Sequence, residues 1–212
     1  MNSATLVVHV VDDDAGFRTA IGRLLRASGY RVALYDSARP LLNNLPGIQP
    51  GCILLDVRMP GLSGPELQAR LADLGNTLPV VFLTGHGDIP MSVRAIKTGA
   101  EDFLSKPVPK KTLIEAVERA LSRYQRSREQ EDHLRALRAL VATFTPRERE
   151  VFALVVRGRL NKQIAFELGT SERTIKAHRH NIMEKLQVNS VAEAVSIAER
   201  LGLLAVPMND RP

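Results

Sequence analysis

Polar residues of a few distinct kinds stand where the apolar runs of this chain stop. The run Thr5–Val11 ends in Asp12-Asp13-Asp14, and a second, from Cys52, ends in Asp56. A third, Val80–Leu83, closes on Thr84, and Asp102–Leu104 is followed by Lys106-Pro107. Carboxylates gathered in one place repel each other unless a cation neutralises them. Mg²⁺ suits such a cluster, because it prefers oxygen ligands and takes one or two carboxylates together with phosphate oxygens. In that setting Asp56 can act as a carboxylate nucleophile and carry an aspartyl phosphate. Thr84 offers a hydroxyl, and Lys106 a point positive charge, to phosphoryl oxygens on which charge develops. Arg58 and His86, two residues beyond Asp56 and Thr84, border the same place.

These groups need a scaffold that gathers strand ends. Thr5–Val11 is too continuously apolar for a one-sided strand and suits a parallel sheet buried on both faces. A helical pattern then runs from Ala15 to Ser28 and stops at Gly29. Strands Arg31–Tyr35, Cys52–Asp56, Val80–Leu83 and Asp102–Leu104 follow. Between and after them come helices Ala38–Asn44, Ser63–Leu74 and Pro90–Thr98, and one starting at Lys111. Such alternation predicts a doubly wound five-stranded parallel sheet, in which ligands bind beyond the carboxyl ends of the strands where the winding order reverses. Ser63-Gly-Pro-Glu66 is a capping box for its helix. Asp14 is either a helix cap or part of the acidic cluster.

Lys111–Val141 contains no proline or glycine. It reads either as one long helix or as two with a polar, frayed centre between Gln125 and His133, and it links the two halves. The heptad pattern lapses in that centre, which interrupts any coiled-coil seam. A second domain opens with the capping box Thr145-Pro146-Arg147-Glu148, with proline at the first helical position. Short helices follow at about Lys162–Leu168, Glu172–Leu186 and Val191–Leu201, the last behind the capping box Ser190-Val-Ala-Glu193. In the middle one, Ile175, Ile182 and Leu186 form one stripe, and Arg173, Lys176, Ala177, His180 and Glu184 another. A helix that shows cations and small residues outward can enter a DNA major groove.

Val-Val-Asp12-Asp13-Asp14, Leu-Asp56-Val-Arg-Met-Pro60-Gly-Leu-Ser-Gly64, Thr84-Gly-His-Gly-Asp88 and Phe103-Leu-Ser-Lys106-Pro107 resemble the receiver motifs of two-component response regulators, in particular the FixJ/NarL family. The resemblance implies a flavodoxin-like receiver at 1–121 with Asp56 as phosphoacceptor from a sensor histidine kinase. It implies Mg²⁺ held by Asp13, Asp56 and the Arg58 main-chain carbonyl, with Asp12 acting mostly through water. Thr84 and Phe103 would be a switch pair, and Lys106–Pro107 a cis bond. The stretch from Thr145 through Gly158-Arg-Leu-Asn-Lys-Gln-Ile-Ala165 to Leu186 resembles the LuxR-type helix-turn-helix, placing an all-α DNA-binding domain at 144–206 after a helical linker at 122–143, with a frayed tail at 207–212. By that resemblance Lys176, Ala177 and His180 face bases, while Arg173, Thr174, Arg179 and Lys185 contact phosphates. His178 is structural. Leu160 and Thr170 depart from the family pattern, and Asn161 is expected to cap its helix in place of Leu160. Partners implied are a histidine kinase, promoter DNA and a second copy of the chain, on phosphorylation or on DNA, with RNA polymerase as a further partner class.

Composition agrees with this. Up to Leu121 there are 13 Lys/Arg against 12 Asp/Glu, and from Ser122 onward 16 against 11, so the basic excess lies in the second half. A lone Cys52 in an apolar run reads as a small core residue. The N-terminus reads as a strand and no run approaches a membrane span, so a soluble, cytoplasmic protein is expected. Two rivals remain at this stage: an Mg²⁺-dependent phosphatase or phosphotransferase with an aspartyl intermediate, and an adaptor whose helical domain binds protein or RNA. Against the first, position 58 is arginine where a second carboxylate would be needed, and no substrate cap is visible.

Overall fold

The computed structural model describes residues 6–85 and 99–204. The helix expected at Pro90–Thr98, and His86, lie outside them. Five strands, β1 (Val7–Val11), β2 (Arg31–Tyr35), β3 (Gly51–Asp56), β4 (Val80–Thr84) and β5 (Asp102–Ser105), form one parallel sheet in the order β2-β1-β3-β4-β5. The winding direction reverses between β1 and β3. Every residue of β1, β3 and β4 is buried, as the unbroken apolar runs require. The one polar side chain within β1, His9, is satisfied. Its Nε2–H donates to the Gln49 carbonyl (2.9 Å), which leaves Nδ1 to accept from the Tyr35 hydroxyl (3.3 Å). Burial holds its pKa below the usual value, in line with a neutral ring.

Helices α1 (Ala15–Ala27), α2 (Ala38–Asn43) and α3 (Gly64–Asp73) cover the sheet. α1 ends where Gly29 takes φ = +89°, a conformation glycine adopts without steric cost. The Ser63–Glu66 capping box is formed, with the Ser63 N–H donating to Glu66 Oε2 at 2.9 Å. α4 (Lys110–Ala142) is one continuous helix, so the frayed-centre alternative does not occur. Its Leu113, Val117, Leu121 and Tyr124 are buried in the core of the sheet unit, and its Leu137 in a second core.

Two compact units divide the chain, Met1–Arg128 and Glu129–Pro212, with the division inside the segment 122–143 that the sequence marks as a linker. The second unit contains α5 (Pro146–Val155), α6 (Asn161–Glu167), α7 (Glu172–Leu186) and α8 (Val191–Arg200). Ile164, Ile175, Ile182, Leu186 and Ala194 close its core, with Phe144 edge-on to Phe152 at 5.3 Å. No described helix is long and apolar enough to cross a membrane.

Candidate functional site

Parallel register assembles the acidic site. Val11 aligns with Leu55 across β1 and β3, so the next residues, Asp12 and Asp56, come side by side at the switch point. Thr84 aligns with Ser105, so Lys106 follows one step beyond it, and the Lys106 N–H donates to the Thr84 carbonyl at 2.6 Å. One carboxylate oxygen each from Asp12, Asp13 and Asp56 lies within 4.8 Å of the others. Asp12 and Asp56 are buried and Asp13 is exposed.

Lys106 Nζ donates to Asp12 Oδ2 at 2.6 Å and to Asp56 Oδ1 at 2.8 Å, and sits 4.2 Å from the centre of the Phe17 ring. Burial pushes the Asp12 pKa above its ordinary value, against the opposing pull of Lys106. For Lys106, burial works to lower the pKa, but the hydrogen bonds to Asp12 and Asp56 prevail and raise it. A cation is therefore held on two clustered carboxylates. The donor set is all oxygen, two of its members are shielded from water, and the third is open to solvent. These features fit a hard divalent cation such as Mg²⁺.

The remaining predicted residues fall around this cluster. The Arg58 N–H donates to Asp56 Oδ2 (3.2 Å), and its side chain is exposed. Thr84 is buried at the end of β4. Phe103 on β5 is half-buried, paired in register with Phe82, with ring centres 6.2 Å apart. Lys106–Pro107 is cis. Asp14 is the cap of α1 and accepts the Gly16 and Phe17 N–H groups at 2.8 and 3.0 Å.

Two supporting residues escape the sequence reading. Arg18 Nη1 donates to the main-chain carbonyls of Asp12 (2.6 Å) and Asp13 (3.3 Å), which steadies the acidic turn from one helical turn into α1. Gly64 lets the start of α3 abut the phosphoacceptor strand: a Cβ there would stand 2.3 Å from the Asp56 carbonyl oxygen. Arg18 carries no distinguishing spacing, and Gly64, though it ends the receiver-type motif that begins at Leu55 and lies inside a capping box, shows no sign in the sequence of its contact with Asp56.

In the second unit, Ser171 caps α7 by accepting the Thr174 N–H (3.2 Å), and the two hydroxyls are 2.9 Å apart. Arg173, Lys176, Ala177 and His180 are exposed along one face, while Ile175, Ile182 and Leu186 are buried on the other. His178 is half-buried. Two expected phosphate contacts are otherwise engaged. Arg179 Nη1 donates to Asn161 Oδ1 (2.7 Å), tying α7 to the start of α6. Lys185 Nζ donates to Glu148 Oε2 (2.6 Å) and to the Thr143 carbonyl (3.3 Å). The Lys185 hydrogen bond holds the buried Glu148 carboxyl below its ordinary pKa. Lys185 is thus paired within its own domain, through Glu148 and the Thr143 carbonyl. The expected capping role of Asn161 is corrected. Leu160 occupies the cap position with no acceptor to offer, the Gln163 side chain reaches back to the Leu160 N–H (2.9 Å), and the Asn161 amide is taken by Arg179.

Residues 8–118 match the response regulator receiver domain family, and residues 142–198 match the luxR family of bacterial regulatory proteins. The response regulator protein TmoT of Ectopseudomonas mendocina is 44% identical, over 95% of this chain and 91% of that protein. The transcriptional regulatory protein FixJ of Bradyrhizobium diazoefficiens is 42% identical, over 93% and 96% respectively. Among solved structures, the response regulator StyR superposes with a TM-score of 0.82 at 45% identity, covering 92% of this chain and 99% of that one. Full-length FixJ from B. japonicum superposes with a TM-score of 0.58 at 41% identity, covering 93% and 98%. Both halves of the chain thus carry their own family's pattern in the expected order, which sets the phosphatase and adaptor readings aside. The chain belongs to the two-component response regulators that join a receiver domain to a LuxR-type helix-turn-helix DNA-binding domain.

Proposed function

We propose that this regulator is phosphorylated on Asp56 by a sensor histidine kinase in the cytoplasm, and that the phosphoryl group controls dimerisation and sequence-specific binding to promoter DNA. The observation that carries this reading is the placement of the Asp56 carboxylate beside Asp12 and Asp13, with Lys106 bonded to both Asp12 and Asp56. An Asp56 carboxylate oxygen attacks the phosphorus of the kinase phosphohistidine, the N–P bond breaks, and the imidazole leaves. Asp12, Asp13, Asp56 and the Arg58 carbonyl would hold Mg²⁺, whose charge offsets that of the carboxylates and of the phosphoryl oxygens. Lys106 releases its carboxylate partners and pairs with the phosphoryl group, and the Thr84 hydroxyl donates to it.

As Thr84 moves towards the phosphoryl group, Phe103 packs inward and reshapes the face spanning residues 89–121. Two receivers then pair through that face. A symmetric dimer sets two copies of α7 in successive major grooves, about 34 Å apart, and the two modest contacts act together through a high effective concentration. RNA polymerase is a further partner at the promoter. Labelling with acetyl phosphate and Mg²⁺ tests the acceptor. Asp56→Asn is expected to remain folded and take no label, whereas stable labelling of that variant would place the acceptor elsewhere.

A further inference from the structure

Arg157, Arg159 and Lys162, three cations of the second unit, take no part in the sites above. Arg157 and Arg159 flank Gly158 in the turn between α5 and α6, and Lys162 lies in the first turn of α6. All three are exposed, and among the described residues their side chains have no ion-pair or hydrogen-bond partner. Other arginines of the same unit are engaged: Arg147 pairs with Glu150 at 2.7 Å, and Arg149 donates to the Ala142 carbonyl at 3.2 Å. The turn and the start of α6 therefore place three unpaired cations within six residues of chain.

The hydrogen bond between Arg179 and Asn161 fixes where that charge sits. It joins the middle of α7, whose exposed face carries Lys176, Ala177 and His180, to the first residue of α6. Arg159 and Arg157 precede Asn161 by two and four residues, so their Cα atoms lie within about 7 and 14 Å of it along the chain. A helix seated in a major groove about 12 Å wide has a phosphate wall on each side. The turn thus lies within reach of the α6 residue that α7 holds.

We propose that Arg157 and Arg159 form a phosphate clamp that grips the DNA backbone along the edge of the groove entered by α7. The proposal rests on the DNA-binding reading given above and extends it to residues on the α5–α6 turn. The first helix of a helix-turn-helix crosses the backbone in any such domain, so Lys162 is expected there. The two arginines lengthen that contact beyond the helix. Their target is the phosphates and not the bases, so the clamp strengthens specific and non-specific binding alike and sets the register of α7 on the duplex.

The test is a salt titration of the full chain on a duplex of random sequence, for which no operator need be known. Each phosphate contact contributes about 0.9 to the slope of log affinity against log salt, or about threefold in affinity over a fourfold change in salt. The double variant Arg157→Ala/Arg159→Ala is expected to lower the slope by about two, with an unchanged melting temperature. Arg157→Lys/Arg159→Lys is expected to restore it. Arg23→Ala/Arg70→Ala removes the same charge from exposed positions of the receiver unit and is expected to leave the slope as it was. A double variant with the wild-type slope, or a receiver control with an equal drop, overturns the clamp while leaving the DNA-binding reading intact. Failure of the wild-type chain to bind duplex DNA at all overturns both.

Discussion

Lys106 Nζ donates to Asp56 Oδ1 at 2.8 Å, so the proposed phosphoacceptor is already paired with the cation expected to meet its phosphoryl group. The same ammonium holds Asp12 at 2.6 Å and rests on the Phe17 ring. Removing it leaves the acidic cluster without its cation but with its oxygen donors in place. Lys106→Ala is expected to keep or tighten Mg²⁺ binding, read by calorimetry. It is expected to lose the monomer-to-dimer response, read by sedimentation of phosphorylated and unphosphorylated protein with and without a two-fold DNA site. Normal dimerisation of the labelled variant would end the proposed role of Lys106. A wild-type chain that stays monomeric in all four conditions would end the dimer mechanism itself.

Gly64 and Asp56 are coupled by close packing. The Cβ of an alanine at 64 would lie 2.3 Å from the Asp56 carbonyl oxygen and 3.0 Å from the Phe82 ring. Backbone must shift to admit it, and overpacking of this kind costs about 1–3 kcal/mol. Urea unfolding of Gly64→Ala is expected to show a loss of that size, together with slower labelling by acetyl phosphate, because the displaced strand end carries the acceptor. Unchanged stability and labelling would mean that the α3 start can yield without cost.

Glu148 and Lys185 make stability depend on pH. The hydrogen bond from Lys185 holds the folded Glu148 pKa below its ordinary value of 4.5. The pair's contribution is therefore fully present above that ordinary value and is lost as pH falls through the lower folded one. Lys185→Met is expected to lower stability by about 1–3 kcal/mol near neutrality, with the gap to wild type closing as pH falls below the ordinary Glu148 value of 4.5. Thermal melts across that range measure it. A gap independent of pH would remove the pair as its cause. The salt slope on DNA is expected to stay unchanged, and a drop of about one would return Lys185 to the phosphate contacts.

Base reading is the role proposed for the exposed stripe of α7. Lys176→Ala and His180→Ala are each expected to reduce discrimination between a selected genomic site and a scrambled one by about 1–3 kcal/mol. Arg179→Ala is expected to behave differently, because its guanidinium is bonded to Asn161 and joins two helices. It should lower the melting temperature by an amount equivalent to about 1 kcal/mol and weaken both DNA sites equally. Equal losses on both sites for all three variants would withdraw the base-reading role.

Much of this protein is written in short range. Strands β1, β3 and β4 are unbroken apolar runs because both faces of a parallel sheet are covered, and their last residues mark the site because ligands gather at carboxyl ends. Asp12, Asp56, Thr84 and Lys106 are therefore legible without coordinates. So are the capping boxes at Ser63, Thr145 and Ser190, whose partners lie three residues away. Helical periodicity separates Ile175 and Ile182 from Lys176 and His180 for the same local reason.

Which cation meets which partner was decided only by tertiary structure. The spacing on α7 marks Arg179 and Lys185 as outward polar residues, and nothing in it tells DNA phosphates from Asn161 or Glu148. The continuity of α4 through its polar centre, the grip of Arg18 on the acidic turn and the contact between Gly64 and Asp56 were likewise undetermined by pattern. Hydropathy and periodicity assign a residue to a face. An ion pair or a steric contact depends on distances of a few ångströms between positions far apart in the chain, and those distances exist only once the elements have packed.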